Sequence, residues 1–299
     1  MLGFIKKYKL ILFLVSVLTI GLIISVSVII PRGQSNVIIK TIRAGNREEI
    51  IRLINNSNKR ILNSISGYWF EQWLYEKLPT TPMVIACYYS DYETVKLLFE
   101  KGASVNYIKG AQSSPLKSTL SINDINSKLV LDFLLENGAD VNFSNKNINP
   151  ALLYVCDTSI LDDFRILIDL NGQFRNISKK SQEEEVLELI KLLIDYDADV
   201  YAEDYSGDNA IYYLAKNNNV LCFQYMMENY DFDVNKQNKF SGGTPLMSSI
   251  RMVGKINFEV TELLLSYGAD KTIKDNNGKT AYDYAVERGY MEIAELLKN

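Results

Sequence analysis

The chain has 299 residues, of which 47% are hydrophobic and 23% charged, so it is long and apolar enough to bury a sizeable core. It contains no histidine, which excludes His-based acid/base catalysis, Ser-His and Cys-His nucleophiles and the commonest zinc ligand. Residues 1–30 hold three lysines and no acid, so the remainder carries 29 basic and 36 acidic residues. Because the basic residues are dispersed among acids, a nucleic-acid partner is not expected.

The N-terminal residues predict a membrane segment. Residues 1–9 form a short basic tail, and residues 10–30 contain no charge. As a helix they would span about 30 Å, the hydrocarbon thickness of a bilayer. We therefore expect a transmembrane helix in contact with lipid, with the N-terminus cytoplasmic and the rest extracytoplasmic, which is periplasmic in a bacterium. Ser25 and Ser27 leave an alternative in which residues 1–27 are a cleaved signal peptide and the remainder is exported.

Residues 31–78 follow as a linker, a weak repeat and an aromatic insertion. The repeat runs from Ile38 to Ile54, and the insertion contains Trp69 and Trp73 on one predicted helical face. This insertion either covers the open apolar side of the first repeat or forms a site for a partner.

From residue 79 onward two short motifs alternate. The prolines of the first motif lie 33 and 35 residues apart at Pro82, Pro115 and Pro150, which is the length of two short helices and a turn. The first motif reads Thr81-Pro82-Met83, Ser114-Pro115-Leu116, Asn149-Pro150-Ala151, Asn209-Ala210-Ile211, Thr244-Pro245-Leu246 and Thr280-Ala281-Tyr282. The second motif lies at 102–106, 138–142, 197–200, 231–235 and 268–270 and is of the type Gly-Ala-Asp-Val-Asn.

Each motif has a physical role. Thr or Ser before Pro supplies an N-cap and a proline in the first helical turn, so a helix is expected to begin there. Glycine in the second motif accepts the left-handed backbone that ends a helix, so we expect a strained or remodelled turn where Asp197 and Tyr230 replace it. Leucine pairs such as Leu263 and Leu264 are expected to face the neighbouring unit, because no unit can bury that face alone.

At these residues the chain resembles the ankyrin repeat family, which implies an all-α solenoid of helix-turn-helix units. The resemblance covers 79–299, in units near 79–111, 112–146, 147–205, 206–240, 241–275 and 276–299. Residues 158–184 are extra in the third unit, as an insertion or a degenerate repeat. The histidine that usually follows Thr-Pro-Leu is missing, so its loop hydrogen bonds must be replaced or lost.

The resemblance implies a non-enzymatic scaffold that binds a protein through its turn fingers and the exposed, concave face of its first helices. We expect no small-molecule substrate, cofactor, catalytic residue or metal site, and we interpret Cys87, Cys156 and Cys222 as buried apolar groups. An enzyme using Asp157, Asp162 and Asp163 is the alternative from another class.

An abundance of Asn, Ile, Lys and Tyr favours a bacterial source. Besides Trp69 and Trp73, the candidate partner-binding residues are Tyr88, Tyr89, Tyr107, Lys109, Phe143, Lys146, Tyr201, Tyr205, Lys216, Lys239, Phe240, Lys274, Asn276, Glu287 and Arg288.

Overall fold

The computed structural model describes residues 30–64, 80–111, 113–120, 125–146, 148–157, 179–251 and 258–298. None of the helices in these ranges is long and apolar enough to cross a membrane. The predicted transmembrane segment, residues 10–30, lies outside them except for Ile30, and so do residues 158–178 of the predicted insertion.

The described chain is helical and divides into two compact units, Met1–Thr119 and Leu120–Asn299. The helices of the first unit are α1 Ile30–Ala44, α2 Arg47–Asn55, α3 Lys59–Leu62, α4 Pro82–Tyr88, α5 Tyr92–Glu100 and α6 Pro115–Leu120, whose last residue belongs to the second unit. Those of the second unit are α7 Ile125–Glu136, α8 Ala151–Cys156, α9 Lys179–Asp195, α10 Ala210–Lys216, α11 Val220–Asn229, α12 Pro245–Arg251, α13 Glu259–Ser266, α14 Ala281–Glu287 and α15 Met291–Leu297.

Within each unit the helices form two layers. In the first unit α1 packs against α4 and α2 packs against α5. In the second unit α8, α10, α12 and α14 contact one another in succession, and α9, α11 and α13 do the same. Each layer therefore consists of equivalent helices from successive hairpins, and each hairpin buries its apolar face against its neighbours.

The linker predicted after residue 30 is instead helical. Helix α1 spans Ile30–Ala44. Gly45 then adopts a φ of 67°, and the side chain of Asn46 caps α2 by accepting from the Glu49 N–H at 3.2 Å. The weak repeat thus uses the same helix-turn-helix geometry without the Thr-Pro opening.

The first helices begin where the Thr-Pro motifs predict. The Thr81 and Thr244 hydroxyls each accept a hydrogen bond at 3.3 Å from the backbone N–H three residues on. Thr280 does the same and also forms a capping box with Asp283. Pro150 differs, because it lies just before α8 as the N-cap, where no side chain caps the helix.

The two predicted irregular turns are confirmed. Gly102, Gly138 and Gly268 end their helices with φ between 80° and 87°. Asp197 is forced into the same left-handed region with a φ of 64°, which is strained for a residue with a Cβ. Tyr230 avoids the strain by adopting an extended conformation with φ −139°, so the chain leaves α11 along a different path.

Most leucine pairs are buried unequally, in contrast to the prediction that both members face the neighbouring unit, whereas Leu134 and Leu135 are both buried. Leu98, Leu134, Leu193 and Leu264 are completely buried, whereas Leu296 is 44% exposed. Successive residues on an α-helix point about 100° apart, so one member of most pairs reaches the middle of the interface and its partner lies towards the edge.

An asparagine side chain joins successive repeats at several junctions. The Asn142 amide donates to the carbonyl oxygen of Asp197 at 2.8 Å, and its carbonyl oxygen accepts from the Asp199 N–H at 2.7 Å. These are the carbonyl and N–H that a neighbouring helix end leaves without an intrahelical partner. The same two-bond bridge connects Asn63 to Gly102 and Ser104, and Asn235 to Gly268 and Asp270.

Candidate functional site

Two turn fingers of the second unit are shaped by an aspartate at the base of the turn, and the finger between them by Asn238. The Asp204 carboxylate accepts from the N–H groups of Ser206 and Asp208 at 2.7 and 2.9 Å, while Gly207 takes a φ of 80°. Asp275 holds the last finger in the same way. Because these turns satisfy their own backbone, the residues at their tips are presented in fixed positions.

Successive fingers are also bonded to each other. The Lys239 N–H donates to the Ser206 carbonyl oxygen at 2.8 Å, and the Asn276 N–H donates to the Ser241 carbonyl oxygen at 2.9 Å. Asn276 adds a side-chain bond to the Phe240 carbonyl oxygen at 2.8 Å. The tips from 204 to 278 therefore form one hydrogen-bonded row.

Tyrosines bind the aspartates at the base of two of these fingers. The Tyr213 hydroxyl donates to the Asp204 carboxylate at 2.8 Å, and the Tyr284 hydroxyl donates to Asp275. Burial, reinforced by the bond to Asp204, raises the pKa of the Tyr213 phenol, so it stays a neutral donor. Burial raises the pKa of Asp275, but the Tyr284 hydroxyl and backbone N–H groups outweigh it, and the net pKa is lowered.

Two aromatic rings lie at the tips of adjacent fingers. Tyr205 is 73% exposed and Phe240 is 60% exposed, with their ring centroids 5.3 Å apart. Beside them the Lys239 ammonium contacts Glu203 at 2.9 Å, and Lys236 contacts the same carboxylate. Hydrogen bonds from the two lysines lower the pKa of Glu203. One carboxylate therefore pairs with two ammonium groups. The finger surface, which we define as Tyr205, Phe240, Lys239 and Asn276, is thus aromatic with a cationic border.

The structure places the remaining candidates of the second unit at varied depths. Lys146 and Lys274 are exposed, and Phe143 is only partly exposed. Tyr201 is 50% exposed, but its ring packs against Phe232 with centroids 5.2 Å apart. It therefore belongs to the junction with the next repeat.

Two candidates at the ends of first helices are engaged within the chain. The Lys216 ammonium contacts the mostly buried Asp157 at 3.1 Å, and Lys279 contacts Glu287 at 2.6 Å. Arg288 is exposed. Asp157, which the enzyme alternative invoked, is accordingly neutralised by a cation, while Asp162 and Asp163 lie outside the described residues.

The first unit presents a separate aromatic pair. Tyr88 and Tyr89 are 47% and 50% exposed, and their rings meet edge to face at 5.3 Å. Lys109 is exposed. Tyr107 is partly buried and accepts a hydrogen bond from the Gly110 N–H at 3.0 Å, which ties it to its own loop. Trp69 and Trp73 lie outside the described residues.

The cysteines lie in the interior of the units. Cys87, Cys156 and Cys222 are all buried as free thiols, and burial raises the pKa of Cys87 and Cys222 to about 12. Such thiols are unreactive at neutral pH. Among the described residues, no group of three or more acids or cysteines is arranged to hold a metal ion.

Sequence reasoning did not identify Asp204, Asp275 or their tyrosines as the residues that hold the fingers. A signal is present in retrospect, because each tyrosine follows its aspartate by nine residues. Glu203 was also missed, since nothing in its local sequence indicates that Lys236 and Lys239, more than thirty residues away, lie beside it.

Comparison with known proteins agrees with this geometry. The family description "Ankyrin repeats (3 copies)" matches residues 177–275 and 230–299, and "Ankyrin repeat" matches residues 80–109. Two similar proteins are the ankyrin repeat proteins L371 and L271 of Acanthamoeba polyphaga mimivirus, which are 26% identical over 161 residues and 25% identical over 181 residues. The matches cover 50% and 58% of this chain but only 20% and 24% of the viral chains. Both relatives are viral, so neither supports a bacterial source.

A solved structure shows the same fold. The crystal structure of the ankyrin repeat protein EF0377 aligns with a TM-score of 0.53 and 23% identity, covering 72% of this chain and 95% of that one. The motif spacing, the layered hairpins and the family matches lead to one conclusion: the chain belongs to the ankyrin repeat family, and its described part is an all-helical ankyrin-repeat solenoid.

Proposed function

We propose that the protein is a non-enzymatic ankyrin scaffold that binds a protein partner through the finger surface of its second unit. Ankyrin repeat proteins generally act as binding scaffolds, and the matching families describe no catalyst. The observation that carries the proposal is the exposed pair of rings formed by Tyr205 and Phe240.

The finger surface is preorganised for binding. Large aromatic side chains provide much of the binding energy at protein interfaces, and they are costly to leave in water. The backbone under both rings is already fixed, because the Asn238 side chain accepts from the Phe240 N–H at 2.9 Å and Lys239 is bonded to the preceding finger. Little further ordering is needed when a partner binds, so most of the contact energy contributes to affinity.

The other candidates extend this proposal to two further places. Tyr88 and Tyr89 supply an exposed aromatic pair in the first unit, together with Lys109. Lys274, Glu287 and Arg288 add exposed charge in the second unit. We expect these residues to modulate affinity, because exposed charges at the rim of an interface affect association more than they affect the lifetime of the complex.

For the apolar N-terminal residues, we propose a membrane anchor formed by 10–30, with the repeats on the extracytoplasmic side. The alternative is an exported protein from which residues 1–27 are removed. The mass of the mature N-terminus separates the two, since the anchor retains Met1. Protease accessibility of the repeats in sealed vesicles tests the orientation.

The binding proposal is tested by co-purification of the full chain from its native source, comparing the unaltered protein with the double variant Tyr205→Ser/Phe240→Ser. A matched control is Met291→Ser/Leu296→Ser, which alters two similarly exposed apolar residues on the last helix. We expect a specific partner to be lost from the first variant and retained by the second. Equal recovery with all three proteins would contradict the assignment of the finger surface.

A further inference from the structure

One junction of the second unit departs from the asparagine bridge. Tyr201 stands where Asn142 and Asn235 stand in their own repeats, and its hydroxyl accepts from the Asp231 N–H at 3.3 Å. A single long bond therefore replaces the two bonds of the bridge, and an aromatic ring remains half exposed at the surface.

Two more tyrosines lie beside this ring. Tyr225 and Tyr230 have ring centroids 6.4 Å apart. The residue after Tyr230 donates its N–H to the Tyr201 hydroxyl, which brings this turn beside Tyr201. Burial raises the pKa of Tyr230, and Tyr225, Tyr201 and Asp195 raise it further. We call Tyr201, Tyr225 and Tyr230 the tyrosine face.

The tyrosine face is surrounded by exposed carboxylates. Asp195 and Asp231 adjoin it, and the Asp199 carboxylate accepts from the Tyr201 N–H at 3.0 Å. None of these acids forms an ion pair with any residue in the described ranges. Negative potential therefore surrounds aromatic rings whose own faces carry partial negative charge.

The chain itself shows that a cation fits on this surface. The Lys191 ammonium, reaching from α9, lies 4.9 Å from the centroid of the Tyr225 ring. That distance is within the range of a cation–π contact, and Lys191 is exposed. It occupies one of the three rings, while Tyr201 is half exposed and Tyr230 is partly exposed.

We propose that the tyrosine face binds a basic protein segment, whose lysine or arginine side chains lie on the Tyr201 and Tyr230 rings between Asp195 and Asp231. The rings exclude water from one side of each cation, and the carboxylates supply the complementary charge. This surface shares no residue with the finger surface, so either assignment can fail without the other.

Binding is measured with the full chain in a neutral detergent, using the fluorescence anisotropy of a labelled peptide of alternating lysine and serine. A peptide with glutamate in place of lysine is the charge control. We expect the basic peptide to bind and the acidic one not to bind. The double variant Tyr201→Leu/Tyr230→Leu keeps the apolar volume but removes the aromatic faces, so we expect affinity to fall about fivefold or more. Tyr267→Leu, at an exposed tyrosine that belongs to neither surface, should have no effect.

A gain-of-affinity variant keeps the test independent of folding. Lys191→Gln removes the cation that competes for Tyr225, whereas Lys298→Gln removes one positive charge from the last helix. We expect the first to tighten binding about threefold more than the second, because only the first frees an aromatic face. Absence of binding by the basic peptide, insensitivity to the tyrosine variant, or equal effects of the two lysine variants would each overturn the proposal.

Discussion

Replacing Asp208 by asparagine is expected to stabilise the protein at neutral pH and to remove part of its pH dependence. The Asp208 carboxylate lies at the base of a finger and accepts from the Asn238 amide at 2.7 Å. Burial raises its pKa from 3.8 to about 6, and the negative charge of Asp204 adds to this, while the Asn238 bond and Lys216 oppose it. The folded state therefore disfavours the ionised carboxylate, whereas the unfolded chain does not.

This difference makes the stability of the protein depend on pH. Because the folded-state pKa is raised, Asp208 contributes its full stability below the unfolded value of 3.8 and loses that contribution as pH rises through about 6. A shift of about two pKa units corresponds to at most about 3 kcal/mol, and partial exposure reduces the expected cost to about 1–2 kcal/mol. Asp208→Asn keeps an oxygen for the Asn238 bond and removes the charge, so the variant should be more stable than the original protein by this amount above about pH 7.

The measurement is urea unfolding of the full chain, followed by circular dichroism, for both proteins between about pH 4 and pH 7.5. The difference in free energy of unfolding should shrink towards zero at the acidic end. Asp233→Asn, at an exposed aspartate of the next repeat, controls for the general effect of removing one negative charge. A gap that does not change with pH, or a variant that is less stable at neutral pH, would refute the assignment of a costly buried charge.

Three further substitutions test the packing, the bridges and the strained turn. Leu264→Ala removes a completely buried side chain and should lower the free energy of unfolding by about 2–5 kcal/mol, measured by urea unfolding; no loss would contradict its central position in the interface. Asn235→Ala deletes both bonds of one bridge and should cost about 1 kcal/mol at this exposed site, whereas Asn229→Ala, on an exposed helix end, should cost less. Asp197→Gly relieves the strain of a residue with a Cβ at a φ of 64°. It should increase the free energy of unfolding by about 1 kcal/mol and so raise the melting temperature. A lower melting temperature would show that Asp197 is not strained.

Local chemistry explains which parts of the fold were predictable. The caps at Thr81, Thr244 and Thr280 and the left-handed glycines depend on residues within one turn of the chain, so sequence alone located them. The helical conformation of the residues before Ile38 was not predicted, because the repeat pattern begins at Ile38. The unequal burial of the leucine pairs depends on how each helix is rotated against its neighbour, which a motif does not specify.

The proposed binding surface was harder to predict, because the exposure of a side chain depends on contacts with residues far away in the sequence. Tyr205 and Phe240 were placed correctly at exposed tips, since the finger register follows from the repeat period. Lys216 was expected to be available to a partner, but its ammonium group binds Asp157, 59 residues earlier in the chain. The tyrosine face was missed because Tyr225 and Tyr230 come from a helix and a turn that the family pattern treats as structural.

The asparagine bridge also affects how the gene could change in length. At each junction that carries the bridge, one asparagine amide bonds to a backbone carbonyl and a backbone N–H of the next repeat. A duplicated hairpin would therefore find the same bonding partners on both sides. The junction after Tyr201 lacks this bridge, since the Tyr201 ring packs against Phe232 and its hydroxyl accepts one bond from the Asp231 N–H. Gain or loss of whole hairpins should therefore be tolerated at the junction after Asn235 and penalised at the junction after Tyr201.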